Sequence, residues 1–351
     1  MPPDSLEDIE SQLGADWPHL RAARQLSKDK LLQISEAVEH FDSEDTSIVV
    51  MGSLARAEFT DGSDIDWYLL IDGWADKAHR DVLRNVGEAI RPFSSKPVGR
   101  EGTFGDMVFS HSLIHDIGGD VDTNLNTTRR LLLLLESRAV GRPDAWRRVV
   151  RGVLDRYIAE DRGLWRGSGP KLPHFLVNDL SRLWRTMAVD FAYKLNRRGG
   201  QGAALRNIKL RMSRKLIYIS GLLACYDCHL GFTQAERSAR YSSSSLKGVV
   251  VEFLEERFAK PPLDVVAGVL LRYPHLYNAA RQLLESYDEF VGILADDEKR
   301  QHMERLAEDQ MDTDPIFQRA RQLSHAFRDA LTEVFFDQQS GLGDLTKGGI
   351  F

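Results

Sequence analysis

The chain of 351 residues is longer than one typical domain, and its 42% hydrophobic and 28% charged residues are those of an ordinary globular protein. This composition predicts two folded domains and excludes extensive disorder, collagen-like repeats and a small disulfide-stapled scaffold. No apolar run approaches the ~18–20 residues of a membrane-spanning helix, and the acidic N-terminus is unlike a signal peptide. Two cysteines, Cys225 and Cys228, are too few for a secreted disulfide framework, so we expect a cytoplasmic protein without a membrane anchor.

The net charge of −6 conceals a strong segregation of charge along the chain. Residues 1–128 contain 11 Lys/Arg and 24 Asp/Glu, residues 129–215 contain 21 and 7, and residues 216–351 contain 14 and 21. The basic middle block predicts a site for a polyanion, and the near-neutral whole gives no sign of a coat for duplex nucleic acid. The alternative is that its arginines pair with the acidic segments.

The first part of the chain shows alternating helix and strand signals. Residues 1–45 are predicted to form an N-terminal helical segment, because apolar residues recur every three to four positions. Residues 46–125 are predicted to form a small α/β core. Its strands are expected at 47–52 and 65–71, where apolar runs are bounded by turn residues, and within 107–117.

After this core the strand signals fade. Residues 126–338 show helical spacing, interrupted by Gly-, Pro- and Ser-rich breaks, and residues 339–351 are predicted to be a flexible tail. Cys225 and Cys228 lie within a helical pattern and are interpreted as buried thiols. The expected fold class is α+β, with a small mixed-sheet domain followed by a larger all-α helical domain.

Two short motifs carry the chemistry. Gly52 and Ser53 follow the first strand at a strand-to-helix turn, where backbone N–H groups and a hydroxyl can cradle phosphate. Asp64 and Asp66 lie one residue apart on a predicted strand, so both carboxylates point to one face. Each motif alone is common, but a phosphate cradle beside paired oxygen ligands for Mg²⁺ predicts phosphoryl or nucleotidyl transfer with two metal ions.

This combination resembles the DNA polymerase β-type nucleotidyltransferase superfamily, whose pattern is Gly-Ser followed by Asp-X-Asp. More closely, GSLARAEFTDGSDIDWYLLID (52–72) is similar to the nucleotidyltransferase domain of the PII-protein uridylyltransferase and glutamine synthetase adenylyltransferase group. A second stretch, LLLLLESRAVGRPDAW (131–146), is similar to the segment that follows the catalytic domain in that group. The resemblance covers roughly residues 45–160. It implies a nucleotidyltransferase fold for the mixed-sheet domain and an enzymatic activity. It does not identify the molecule that accepts the nucleotide.

The resemblance also assigns roles to particular residues. Gly52 and Ser53 would hold the triphosphate, and Asp64 and Asp66 would bind two Mg²⁺ ions and act in catalysis. Four further candidates for nucleotide binding are Arg56, Ser63, Lys209 and Arg211. For Arg56 the alternative is an ion pair with Glu58 or another nearby acid, and for Lys209 and Arg211 it is a solvated basic face.

The superfamily adds a third carboxylate that helps to activate the attacking hydroxyl, and the sequence does not mark it clearly. Asp122 is the first choice, because it follows the strand-like run 107–117 and lies in a turn that contains two glycines. Four other carboxylates remain open as alternatives: Asp106, Asp120, Glu101 and Glu136. For Glu136, a structural ion pair is the favoured interpretation.

The predicted function is Mg²⁺-dependent transfer of a nucleoside monophosphate from a nucleoside triphosphate, with ATP among the candidates, to an acceptor hydroxyl. Pyrophosphate would be released, and the acceptor would be a protein, an RNA or a small molecule. Two alternatives belong to other classes. One is a non-catalytic nucleotide-binding sensor. The other is a helical, antitoxin-like interaction protein with a relic nucleotidyltransferase domain.

Overall fold

The computed structural model describes most of the chain. The described residues are 5–94, 104–165, 172–197, 200–231 and 246–350. Among them, no helix is both long enough and apolar enough to cross a membrane. Four strands form one mixed sheet, and the rest of the regular structure is helical. The predicted fold class, a small mixed-sheet domain followed by a large all-helical region, is confirmed.

Contacts divide the chain into two compact units. We call the first the sheet unit; it comprises residues 23–166 and 239–261. The second, the helical unit, comprises residues 1–22, 167–238 and 262–351. These units do not follow the predicted boundary near residue 125, because three later helices belong with the sheet.

The sheet contains four strands, β1 (Thr46–Met51), β2 (Asp66–Ile71), β3 (Met107–Phe109) and β4 (Ser137–Ala139). Their order in the sheet is β3-β2-β1-β4. Strand β1 pairs antiparallel with both β2 and β4, and β2 pairs parallel with β3. In the β1–β2 register Met51 lies opposite Asp66, so the end of β1 meets the start of β2.

One face of the sheet packs on a fully buried core. Ile48 and Val50 of β1 and Trp67, Leu69 and Ile71 of β2 point to this face, as the two-residue alternation of strands requires. They contact apolar side chains of two helices, α2 (Pro18–Val38) and α4 (Ala78–Ile90).

Further helices of the sheet unit connect the strands or follow the last strand. The other helices of the sheet unit are α3 (Gly52–Ala55), α5 (Ser110–Ile114), α6 (Asn124–Leu135), α7 (Asp144–Glu160) and α11 (Leu246–Phe258). Helix α7 packs on β1 and also against α11. The hydroxyl of Ser47 donates to the carbonyl of Arg142 at 2.6 Å and accepts from the backbone N–H of Trp146 at 3.1 Å, which ties β1 to the start of α7.

The helical unit consists of packed helices without a sheet among its described residues. Its helices are α1 (Ser5–Leu13), α8 (His174–Arg197), α9 (Ala203–Lys209), α10 (Lys215–Leu230), α12 (Pro262–Leu270), α13 (Tyr277–Ala295), α14 (Asp297–Arg305), α15 (Pro315–Phe336) and α16 (Leu342–Ile350). The most extensive helix pairs are α13 with α15 and α10 with α12. The core includes the buried rings of Tyr287, Phe290 and Phe327. A π-helical turn, Leu210–Arg214, connects α9 to α10.

Several elements differ from the sequence expectations. The strand expected within 107–117 ends at Phe109, and residues Ser110–Ile114 form a helix instead. Strand β4 was not expected, because a three-residue strand carries no periodic signal. In place of the flexible tail the structure has helix α16, where the Thr346 hydroxyl donates to the Phe335 carbonyl at 2.8 Å. The expected buried thiols are confirmed, since Cys225 and Cys228 are free and buried.

Candidate active site

The Gly-Ser turn and the second aspartate of the Asp-X-Asp motif lie against each other. Gly52 begins α3 with a φ of +68°, a left-handed conformation that side chains rarely adopt. A Cβ built on Gly52 would lie 3.2 Å from Asp66 Oδ2. The absence of a side chain at residue 52 therefore leaves room for the Asp66 carboxylate beside the turn.

Asp66 is the first residue of β2, and Asp64 lies two residues earlier, outside the strand that the sequence predicted for both. Both are half-buried, whereas Ile65 between them is fully buried. The Ile65 side chain is therefore fixed in the protein interior, and the two carboxylates lie on the opposite side of the segment. The prediction that both acids share one face agrees with this burial pattern.

The two serines of the motifs occupy different environments. Ser53 is half-buried at the start of α3, and its carbonyl accepts from the Glu58 N–H at 2.8 Å. Ser63 is buried, and its hydroxyl lies 3.0 Å from the Thr60 hydroxyl. The Ser63 N–H donates to the Thr60 carbonyl at 2.8 Å. Ser63 thus closes the turn that leads into Asp64.

Arg56 is held by two carboxylates. Its side chain is 9% exposed; Nε donates to Glu58 Oε2 at 3.0 Å, and Nη1 donates to Glu136 Oε2. Glu136 is the residue at the C-terminal end of α6, so the three side chains join the Gly-Ser turn to α6 and β4. The alternative interpretations of Arg56 and Glu136 as structural ion-pair partners are both confirmed. The nucleotide-binding role of Arg56 stays a prediction.

Asp122, the first choice for the third carboxylate, belongs to a separate buried cluster. Both of its oxygens accept from Arg130, at 2.9 and 3.2 Å, and Arg130 Nε donates to the Tyr157 hydroxyl at 2.9 Å. Burial opposes the charge of Arg130, but its interactions with Tyr157 and Asp122 outweigh this and raise the pKa of the guanidinium. Asp122 is thus engaged in a buried ion pair with Arg130.

Asp106 occupies the sheet edge next to β2. Its carbonyl accepts from the Leu69 N–H at 3.0 Å, and the parallel register pairs Leu69 with Met107. Because Met107 packs on the core face, strand alternation places Asp106 on the opposite face, together with Asp66 and Tyr68. Asp106 is exposed, and its Oδ1 accepts a hydrogen bond from the Met107 N–H at 2.8 Å.

Arg129 and Tyr68 complete this face, and neither was predicted from the sequence. Arg129 Nη2 lies 3.9 Å from Asp106 Oδ2, with the arginine side chain 13% exposed. Burial raises the pKa of the Tyr68 hydroxyl, and the nearby Arg129 opposes that shift. The Tyr68 hydroxyl is buried without a hydrogen-bond partner among the described residues. The only sequence signal was the Arg129–Arg130 pair within the basic block.

The remaining candidates lie elsewhere. Asp120 is exposed in the turn before α6, and Glu101 lies outside the described residues. Lys209 and Arg211 belong to the helical unit, whereas the two motifs belong to the sheet unit. Their role in nucleotide binding stays a prediction.

The basic block is partly neutralised inside the sheet unit. Arg148 Nε lies 2.7 Å from Asp72, Arg151 Nη1 lies 3.2 Å from Glu255, and Arg130 pairs with Asp122. For these arginines the alternative of pairing with acidic segments is confirmed. The charge segregation of the sequence therefore overstates the positive field of this unit.

The donor set fits Mg²⁺. Asp66 at the first position of β2 and Asp64 two residues before it offer hard carboxylate oxygens, and Gly52 leaves room for the Asp66 carboxylate. Within the described part of the chain, no three His, Cys, Asp or Glu side chains are clustered closely enough to hold a metal ion by themselves. Such a two-carboxylate set suits Mg²⁺ that takes its other ligands from water and substrate phosphate.

Comparison with known proteins gives a match for the segment that contains the two motifs. Residues 31–98 match the family model described as a nucleotidyltransferase domain, a segment that contains β1, the Gly-Ser turn, Asp64, Asp66 and α4. No curated protein matches the chain. The match does not indicate a narrower subfamily. The chain thus carries a nucleotidyltransferase domain of the DNA polymerase β type at residues 31–98.

Proposed function

We propose that the protein is an enzyme that transfers a nucleoside monophosphate from a nucleoside triphosphate to an acceptor hydroxyl. One observation carries the proposal: Gly52, in a left-handed conformation, lies directly against the carboxylate of Asp66. This arrangement brings the predicted phosphate cradle and the predicted metal ligands to one point of the matched domain. Residues 54–63 separate the two motifs in the chain, so their meeting is a property of the β1–β2 pairing.

We assign triphosphate binding and metal binding to different residues. Gly52 and Ser53 would hold the triphosphate through backbone N–H groups and the Ser53 hydroxyl. Asp64 and Asp66 would hold Mg²⁺, which when bound neutralises the negative charge that develops on the transferred group. The acceptor oxygen forms a bond to the α-phosphorus, the bond from that phosphorus to the bridging oxygen breaks, and pyrophosphate leaves with that oxygen.

The acceptor hydroxyl must lose its proton, and we assign this step to Asp106 rather than Asp122. Asp106 is exposed and belongs to the same sheet face as Asp66, and Arg129 Nη2 lies 3.9 Å from its Oδ2. Asp122 is instead committed to Arg130, where both oxygens already accept hydrogen bonds. A carboxylate that is buried and fully paired is a poor proton acceptor.

The identity of the acceptor is a separate question. The narrower resemblance to the PII-protein uridylyltransferase and glutamine synthetase adenylyltransferase group makes a protein acceptor one candidate, beside an RNA or a small molecule. The nucleotide is equally open. We therefore propose only a reaction class, transfer from an NTP to an acceptor hydroxyl.

The test follows the α-phosphate. The protein is incubated with Mg²⁺, each α-labelled NTP and a nucleotide-free cell extract, and the label is followed in the protein, RNA and small-molecule fractions alongside pyrophosphate release. We expect transfer with the parent, none with Asp64→Asn or Asp66→Asn, and full transfer with the control Asp81→Asn, an exposed acid on α4. Mg²⁺-dependent NTP binding without label transfer from any NTP would contradict the proposal and indicate a sensor.

A further inference from the structure

The helical unit contains a pocket of about 260 Å³ between α8, α10, α15 and α16. Its walls are aliphatic and aromatic side chains, including Ile219, Leu222, Leu331 and Phe335. Tyr218 also lines it, and the Tyr218 ring stacks on Trp184 with centroids 5.6 Å apart. Apolar walls with ordered aromatic rings are typical of pockets that hold the body of a small molecule.

Two cations line the same pocket, Lys215 at the start of α10 and Arg328 on α15. Arg328 lies 2.7 Å from Asp329, in a pair whose side chains are both more than half exposed. Among the described residues, Lys215 makes no ion pair with a carboxylate, and the charged groups that act on it are Arg211 and Arg328. The pocket therefore combines an apolar interior with an incompletely neutralised positive charge.

The neighbouring cations repel one another. Burial lowers the pKa of Lys215, and Arg211 and Arg328 lower it further. Burial also lowers the pKa of Arg211, with Arg321 and Arg328 adding to the shift. A bound anion at this point would relieve the repulsion and favour the charged form of both side chains.

The backbone at this point departs from a regular α-helix. Leu210–Arg214 forms a π-helical turn between α9 and α10, so the helical segment from Ala203 to Leu230 contains a local insertion. Such turns are rare and are often found at functional sites. An inserted residue rotates the following side chains by about 100° around the helix axis. Arg211 lies within the turn and Lys215 follows it directly.

We propose that this pocket binds a small amphiphilic anion, a molecule with one carboxylate or phosphate group and an aromatic or aliphatic body. Lys215 and Arg328 would hold the anionic group, and Ile219, Leu222 and Leu331 would contact the body. All of these residues belong to the helical unit. The site is distinct from the Gly-Ser and Asp-X-Asp motifs and does not depend on the proposed transfer reaction.

The first test uses calorimetric titration of the full chain in the presence of EDTA, so that divalent metal does not recruit the probe to the acidic motif. The probes are 1-naphthyl phosphate and 1-naphthoate, which present the two anionic groups on the same body. We expect one molecule of at least one of them to bind per chain. Inorganic phosphate and uncharged 1-naphthol should each bind at least about tenfold more weakly, since each lacks one half of the interaction.

Variants locate the binding. Lys215→Gln and Arg328→Gln should each weaken it about tenfold, the scale of one charge-assisted hydrogen bond. Leu222→Trp should block the pocket while retaining both charges. Arg319→Gln is the control, because Arg319 lies on the same helix as Arg328 but pairs with Glu289. Thermal melting checks that each variant folds. If Leu222→Trp does not fold, Lys215→Gln and Arg328→Gln alone test whether the probe binds in this pocket.

Three results would overturn the proposal. The first is that neither naphthyl anion binds. The second is that 1-naphthol binds as tightly as the anions, which would mean that the pocket is merely apolar. The third is that Lys215→Gln and Arg328→Gln leave the affinity unchanged, or that Arg319→Gln lowers it equally, which would mean that binding follows the overall charge of the surface.

Discussion

The carboxylate of Asp66 lies beside the missing side chain of Gly52, with Oδ2 only 3.2 Å from the position that a Cβ would take. The antiparallel register of β1 and β2 produces this approach, because Met51, the residue before Gly52, pairs with Asp66. Gly52 therefore meets two requirements at once, a left-handed backbone and space for the Asp66 carboxylate.

This contact predicts the effect of Gly52→Ala. The new Cβ would strain the left-handed backbone by ~1–2 kcal/mol and also push against the Asp66 carboxylate. We expect Mg²⁺-dependent nucleotide binding to be lost, together with a small fall in melting temperature. Calorimetric titration with a non-hydrolysable NTP, with and without Mg²⁺, measures the first effect.

Gly118→Ala is the matched control. Gly118 has a φ of +72° in the same unit, but no atom lies within 4 Å of the point where its Cβ would stand. It should show the backbone strain alone and keep nucleotide affinity. Equal nucleotide affinity in Gly52→Ala and Gly118→Ala would contradict the placement of the triphosphate and metal at this turn.

A second prediction concerns the buried cluster of Arg56, Glu58 and Glu136. Arg56→Met would leave two buried carboxylates without their guanidinium, which costs about 3–5 kcal/mol of unfolding free energy. Urea denaturation measures this loss. Adding Glu58→Gln and Glu136→Gln to Arg56→Met should recover much of it, because the uncompensated charges are removed. If Arg56→Met instead lowers NTP affinity at unchanged stability, Arg56 contacts phosphate as the sequence predicted.

A third prediction separates the two candidates for the third carboxylate. Asp106→Asn should abolish label transfer while leaving NTP binding and melting temperature close to those of the parent, because Asp106 is exposed. Asp122→Asn should lower the melting temperature, because Arg130 is fully buried and would lose its charged partner. Transfer that survives in Asp106→Asn but is lost in a folded Asp122→Asn would reverse the assignment.

A fourth prediction concerns pH and Asp42, a half-buried residue that follows α2. Burial raises the pKa of its carboxyl to about 7, although the Arg142 N–H donates to Oδ2 at 2.8 Å and opposes the shift. The folded state therefore retains this proton to higher pH than the unfolded state, whose pKa is ~3.9. The resulting stabilisation is complete below about pH 4 and is lost as pH rises towards 7.

Asp42→Asn should remove this pH dependence. Urea denaturation between pH 4 and 8 should show a smaller fall in unfolding free energy for Asp42→Asn than for the parent. Asp45→Asn, at an exposed neighbouring residue, should follow the parent curve. Identical slopes in the parent and Asp42→Asn would show that the Asp42 carboxyl titrates alike in the folded and unfolded states.

Local chemistry was sufficient to predict the main features of the nucleotidyltransferase domain. The apolar run before Gly52, the turn before Asp64 and the polar–apolar alternation of Asp64, Ile65 and Asp66 depend on neighbours only a few residues apart. Helical spacing likewise predicted the regions of α7, α8 and α15, because each buries one continuous apolar stripe.

Contacts between distant parts of the chain account for what could not be predicted. Arg56 meets Glu136 across 80 residues of sequence, and Arg129 approaches Asp106 only because β3 pairs beside β2. No local pattern distinguishes an aspartate that is paired with a buried arginine, such as Asp122, from one on an open sheet edge, such as Asp106. The Gly-Ser turn and the Asp-X-Asp motif were recognisable from the sequence, since each depends only on neighbouring residues. Which further carboxylate lies near the two motifs depends on strand pairing, and strand pairing is a long-range property of the fold.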